Sequence, residues 1–138
     1  AGTIQRRTAI MILPYENALV KLSLTGKQLR AVIEHGISGG LNSFPQVSGM
    51  RFQYDPKRSA GSRVTYFEVG GKPLVDSRTY TLACSQFLRR GGCGYKMADL
   101  KCLIGPEDSA SESAVLIEAL IQAKTISPKI EGRIQITP

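Results

Sequence analysis

Apolar and polar residues alternate with a period of two from Ala18 to Leu24, where Leu19, Lys21 and Ser23 oppose Val20, Leu22 and Leu24. Such alternation predicts a half-buried β-strand. Upstream, Thr8 to Leu13 is a short apolar run closed by Pro14 and predicts a partner strand, joined through a turn at Pro14 to Asn17. The period then changes. Thr25 and Gln28 form a capping box, and Leu29, Val32, Ile33 and Ile37 recur at helical spacing, which predicts a helix from Thr25 to about His35. Gly36, Gly39 and Gly40 are expected to supply the left-handed residues that stop it and open a loop through Pro45.

From Gln46 to Tyr54, Met50, Phe52 and Tyr54 alternate with Arg51 and Gln53, a strand pattern ended by Asp55-Pro56. Arg63 to Val69 has the same character, and Gly70-Gly71-Lys72-Pro73 separates it from Leu74-Val75 as a hairpin connection would. Tyr80 to Cys84 predicts a further strand. Gly105 to Ser109 is expected to be a loop, and Ser109 with Glu112 suggests a second capping box before a helix through Val115, Leu116, Leu120 and Ile121 to about Lys124. Pro128 bars its continuation, and Arg133 to Thr137 closes the chain as a strand. Strands with two marked helices predict an α+β domain whose sheet is mixed and mostly antiparallel.

The length of 138 residues corresponds to one domain, 1–138, able to bury roughly two-thirds of its unfolded surface. No apolar run approaches the roughly 18 residues of a membrane span, so none is expected. Eighteen Lys and Arg against 11 Asp and Glu give a net charge of +7, which favours anionic partners. The basic residues are scattered as Arg6-Arg7, Lys57-Arg58 and Arg89-Arg90 rather than gathered in a tract. That distribution argues against a nucleic-acid partner. Cys84, Cys93 and Cys102 lack the spacing of a zinc site, and a Cys93–Cys102 disulfide is open on spacing alone. The single histidine, His35, is expected near a helix end, in a dipole-favoured or solvated role. Ala1-Gly2-Thr3-Ile4 has neither the charged nor the apolar region of an export signal; if the parent protein is exported, that segment is expected to have been removed.

Ser85 to Tyr95 (Ser-Gln-Phe-Leu-Arg-Arg-Gly-Gly-Cys-Gly-Tyr) joins an aromatic, two arginines and glycines in one stretch following a predicted strand. Glycine allows close backbone approach, arginine offers a fork of donors, and an aromatic face stacks on a planar base. The alternative is an ordinary glycine turn with Arg89 and Arg90 as solvated charges. Together with Ile12-Leu13-Pro14-Tyr15-Glu16-Asn17, Leu24-Thr25-Gly26-Lys27-Gln28-Leu29, Val47-Ser48-Gly49-Met50 and Glu131-Gly132-Arg133-Ile134, in this order, the chain resembles the C-terminal domain of the 5′-nucleotidase family over almost its whole length.

The resemblance implies a substrate-recognition domain working beside a metallophosphoesterase domain of the same polypeptide, which would carry two divalent metals. It places the two aromatics that clamp the nucleobase at Tyr15 and Phe87; the alternative is that both are core residues. It puts Gly91, Gly92 and Gly94 where backbone approaches the nucleotide, Cys93 at the sugar, and Asn17 at the Pro14 turn or the ligand. Cys93 departs from the family's Gly-Gly-Asp-Gly, whose carboxylate accepts from both ribose hydroxyls. A thiol cannot replace a two-oxygen acceptor, which leaves open a different sugar or another acceptor. The family's Asn-Gly-Gly-Gly-Ile-Arg element and its metal ligands are also missing, so the chain is expected to be a piece of a longer hydrolase, inert alone. The resemblance further implies a secreted, periplasmic or cell-surface location. A non-catalytic nucleoside-binding module is the rival reading.

Overall fold

The computed structural model describes residues 2–137. In chain order its elements are α1 (Arg6–Ile12), β1 (Leu19–Thr25), α2 (Gly26–Ser38), β2 (Met50–Tyr54), β3 (Val64–Val69), β4 (Lys72–Pro73), β5 (Thr79–Ser85), α3 (Gln86–Arg89), β6 (Lys101–Ile104), α4 (Glu112–Ala123) and β7 (Ile134–Ile136), with 3-10 turns at Gly92–Gly94 and Pro106–Asp108. The strands form two sheets, a three-stranded one in the order β5-β1-β6 and a four-stranded one in the order β4-β3-β2-β7. Every pairing is antiparallel except β2 with β7. The α+β class therefore holds, with α2 and α4 as the two long helices.

The period-two pattern of β1 translates directly into burial: Val20, Leu22 and Leu24 are sealed from solvent. Each such side chain contributes about 1.5–3 kcal/mol relative to an exposed position. Val20 and Leu22 pack with Tyr95 and Met97, whereas Leu24 joins Leu29, Ile33 and Ile37 of α2 against Phe52, Val64 and Phe67 of the second sheet. Val32 of α2 touches both clusters, so this helix is the element between the sheets. Its start follows the sequence, since Thr25 and Gln28 form both bonds of the capping box.

Several expectations are corrected. Thr8 to Leu13 is not a strand but lies largely within α1, which packs on α4 with Ala9 buried. The reason is topological: β5 holds one edge of β1 and β6 the other, leaving no edge for a hairpin partner. β6 itself was not expected. Helix α2 runs past His35 to Ser38, with Gly36 inside it, and of the three glycines only Gly40 adopts positive φ. The cap of α4 is Ser111, which accepts from the Ala114 N–H at 3.3 Å, while Ser109 turns its hydroxyl to the Leu19 carbonyl. Strand pairing in β2 starts only at Met50, and the hairpin partner of β3 is Lys72–Pro73, reached through Gly70 and Gly71 at φ 59° and 74°. The thiols of Cys84, Cys93 and Cys102 are free.

The Glu131-Gly132-Arg133 stretch anchors β7. Arg133 donates to the Val47 carbonyl at 2.8 Å and to both carboxylate oxygens of Glu131, at 3.0 and 2.8 Å. Inside the molecule, buried Glu34 accepts the backbone N–H groups of Val64 at 2.7 Å and Arg63 at 3.1 Å, tying α2 to the start of β3. Glu34→Ala would strand both donors. It is expected to destabilise the fold by about 3 kcal/mol, lowering the thermal midpoint by roughly 10 °C in a calorimetric or circular-dichroism melt.

Candidate functional site

Antiparallel pairing of β1 with β5 sets Leu19 opposite Ser85, so the end of one strand lies beside the start of the other. The Gln86 N–H donates to the Ala18 carbonyl at 2.9 Å and carries this ladder one step further. The segment entering β1, with Tyr15 and Asn17, and the segment leaving β5, with Phe87, therefore issue from the same end of the sheet. The first turn of α4 closes on that end as well. Glu112 N–H donates to the Asn17 carbonyl at 2.9 Å, which fixes the Asn17 main chain, and Leu19 N–H to the Ala110 carbonyl at 3.0 Å.

Both aromatics face solvent: Tyr15 is 75% exposed and Phe87 50%. They are not core residues. Phe87 begins α3, whose cap is Ser85 accepting the Phe87 N–H at 3.2 Å. Its ring rests on Gly92, where an added Cβ would lie 2.5 Å from Cδ1 and 2.6 Å from Cζ. Gly92 thus serves as the floor beneath the ring, and a larger residue there would displace the ring from this position. No aromatic pair joins Tyr15 to Phe87 among the described residues.

Gly91, Cys93 and Gly94 all have positive φ, 101°, 53° and 77°. For cysteine this left-handed conformation is unfavourable by about 1 kcal/mol, so neighbours must hold it. The Gly94 N–H donates to the Gly91 carbonyl at 3.0 Å and the Tyr95 N–H to the Gly92 carbonyl at 3.2 Å. The Cys93 side chain is exposed. Its carbonyl lies 2.9 Å from His35 Nε2. A carbonyl can only accept, so Nε2 carries the proton. His35 is thus a partner of the loop rather than a solvated helix-end charge.

Tyr95 completes the anchorage. Its hydroxyl donates to the Ser43 carbonyl at 2.6 Å, Ser43 Oγ donates to the Gly36 and Gly40 carbonyls at 3.1 and 3.0 Å, and burial raises the phenol pKa. The ring meets His35 edge-on, centroids 4.8 Å apart. Gly36 is required here, because a Cβ would sit 2.5 Å from Tyr95 Oη and 2.9 Å from Pro45 Cδ. Neither His35 nor Tyr95 was singled out as part of the site from sequence. The signal was present in Gly36, a mid-helix glycine of the kind that marks a close approach.

The paired arginines separate. Arg90 is exposed, whereas Arg89 buries its Nε without a hydrogen-bond partner. Beside it the half-buried Cys84 thiol is pushed up to about 11, chiefly by desolvation, with Arg89 opposing. Among the described residues no group of three or more His, Cys, Asp or Glu is placed to hold a metal ion, and no helix is long and apolar enough to cross a membrane.

Fold and loop together define an α+β domain with a glycine-rich aromatic loop at the carboxyl end of an antiparallel strand. The family model for the 5′-nucleotidase C-terminal domain matches residues 1–100, and the chain belongs to that family. A 5′-nucleotidase of Diplobatis ommata is 31% identical over 144 residues, covering 96% of this chain and 25% of the relative. A trifunctional nucleotide phosphoesterase protein of Bacillus subtilis (strain 168) is 29% identical over 97% of this chain and 10% of its own length. The crystal structure of a 5′-nucleotidase precursor from Thermus thermophilus superposes with a TM-score of 0.88 at 31% identity, over 96% of this chain and 28% of that one. The chain thus spans about a quarter of the Diplobatis ommata relative and of the Thermus thermophilus structure.

A thiol with its pKa near 11 is about one part in a thousand thiolate at pH 8. Because only the thiolate attacks, iodoacetamide at pH 8 is expected to label exposed Cys93 well before Cys84, whose labelling should accelerate about tenfold per pH unit up to its pKa. Peptide mass spectrometry checks the order; prior labelling of Cys84 in the folded protein would contradict the burial argument.

Proposed function

We propose that this chain is the substrate-recognition domain of a metal-dependent phosphoesterase that removes phosphate from nucleotides, and that Tyr15 and Phe87 stack on opposite faces of the base. The observation that carries the reading is two solvent-facing aromatics on the segments that enter β1 and leave β5, one of them resting on Gly92. Exposed aromatics of this size are poorly explained by packing and well explained by a planar ligand. The net charge of +7 suits a phosphorylated one. The relatives' names, 5′-nucleotidase and nucleotide phosphoesterase, support the same substrate class.

In this reading the loop has two tasks. Gly91, Gly92 and Gly94 let main chain approach the nucleoside, and Cys93 faces its sugar. Asn17 holds its turn through the main-chain bond to α4 and leaves its side chain for the ligand. The hydrolytic chemistry in this reading belongs to a preceding domain of the same polypeptide, which is supported by the greater length of the relatives, of which this chain covers about a quarter. Two divalent ions bound there would activate water for attack on phosphorus. A secreted, periplasmic or cell-surface setting follows the same line of descent, and relatives include a snake venom 5′-nucleotidase.

Stacking on an aromatic contributes about 1–3 kcal/mol per base, so Tyr15→Ala and Phe87→Ala in the full-length polypeptide are each expected to raise KM for nucleoside monophosphates about 5-fold or more. Hydrolysis of glycerol phosphate, a monoester with no planar group to stack, should not change. Unaltered nucleotide KM in both variants would remove the clamp, and a full-length polypeptide that binds nucleosides but cleaves no phosphoester would favour the non-catalytic module.

Cys93→Asp keeps a residue type tolerated in the left-handed region and adds the two-oxygen acceptor that a ribose diol needs. Titration calorimetry with adenosine is expected to show tighter binding than in the parent chain. Equal affinities would count against a sugar contact at position 93.

A further inference from the structure

We infer that His35, through the bond from Nε2–H to the Cys93 carbonyl, is the positioning residue that sets the sugar side of the nucleotide site. This rests on the substrate-recognition reading above. The bond is 2.9 Å long and spans two elements 58 residues apart in sequence. It falls on the single non-glycine of the loop with positive φ. The strain of such a residue and the net worth of one hydrogen bond are of similar size, so removing the bond frees Cys93 to leave the left-handed region.

The imidazole is itself held in place. Tyr95 meets it edge-on at 4.8 Å, and Gly94 lies against it so closely that a Cβ there would be 3.1 Å from His35 Cε1. Glu34, the residue before, fixes the same turn of α2 to β3 through the Arg63 and Val64 N–H groups. The loop is therefore positioned from the buried helix. Phe87 is positioned differently, by the Ser85 cap and the Gln86 to Ala18 bond. The Phe87 main chain has supports of its own and only its ring leans on the loop, at Gly92, so loss of His35 should move the Cys93 side more than the Phe87 side.

Glutamine places an amide Nε2–H at about the reach of the histidine Nε2–H, which makes His35→Gln the conservative partner of His35→Ala. In the full-length polypeptide, with adenosine 5′-monophosphate as substrate, His35→Ala is expected to raise KM about fivefold or more with kcat held within about twofold, and His35→Gln to return KM to within about twofold of the parent. Hydrogen exchange on the same variants should show faster exchange at Gly94 and Tyr95 in His35→Ala, with β1 and β5 unaltered. An unchanged KM in His35→Ala, a parallel fall in kcat and thermal midpoint, or failure of His35→Gln to restore KM while still folded would each overturn the inference. Phe87→Ala separates the two levels: if it raises KM and His35→Ala does not, only the role of His35 fails. If neither acts, the recognition reading itself falls.

Discussion

Strand β1 is hydrogen-bonded on both edges, and most of the architecture follows from that saturation. With β5 on one side and β6 on the other, the apolar run before Pro14 cannot pair with β1 and instead coils into α1 against α4. The antiparallel register of β1 with β5 brings the segment entering β1 and the segment leaving β5, some 70 positions apart in the chain, to the same end of the sheet. Burial of Val20, Leu22 and Leu24 fixes that register, because a one-residue slip would turn all three to the opposite face. The candidate site is thus a by-product of a packing requirement met elsewhere on the same strand.

Helix α2 distributes a second constraint. Its apolar side fills the space between the sheets, and its last turns present three consecutive residues to three different neighbours. Glu34 satisfies the start of β3, His35 the Cys93 carbonyl, and Gly36 makes room for the Tyr95 hydroxyl. A buried helix is a stiff reference, so a loop held by it has little freedom to drift. The glycine-rich segment needs such support because three of its residues sit at positive φ. Glycine gives the loop access to that conformation, and the surroundings hold it there.

Membership of the 5′-nucleotidase C-terminal domain family accounts for the order of the motifs, and the fold gives most of them a physical task. The capping box starts α2, and the Glu131-Gly132-Arg133 stretch locks β7 to the loop before β2. Cys93 is where the chain departs from the family pattern. Its backbone is held in the conformation the loop requires, while its side chain carries a thiol instead of a carboxylate. Conformation and chemistry at one residue have come apart, and under the function proposed above a change of sugar preference would trace to this side chain.

Periodic burial was legible in the chain itself. The alternation of β1 and the 3.6-residue spacing of α2, with its Thr25–Gln28 cap, describe local geometry that short-range sterics and hydrogen bonds decide. So were the residues proposed for the site, since the exposed aromatics and the glycine loop are chemical types whose order carried the family resemblance. Only the tertiary structure decided the rest. Residues 8–13 became helix where β5 and β6 hold both edges of β1, and Ser111 displaced Ser109 as the α4 cap when Ser109 turned to the Leu19 carbonyl. His35 acquired its partner across 58 residues. Each of these outcomes depends on which groups distant parts of the chain leave unpaired, and that competition is settled by packing in three dimensions, where local propensity has no say.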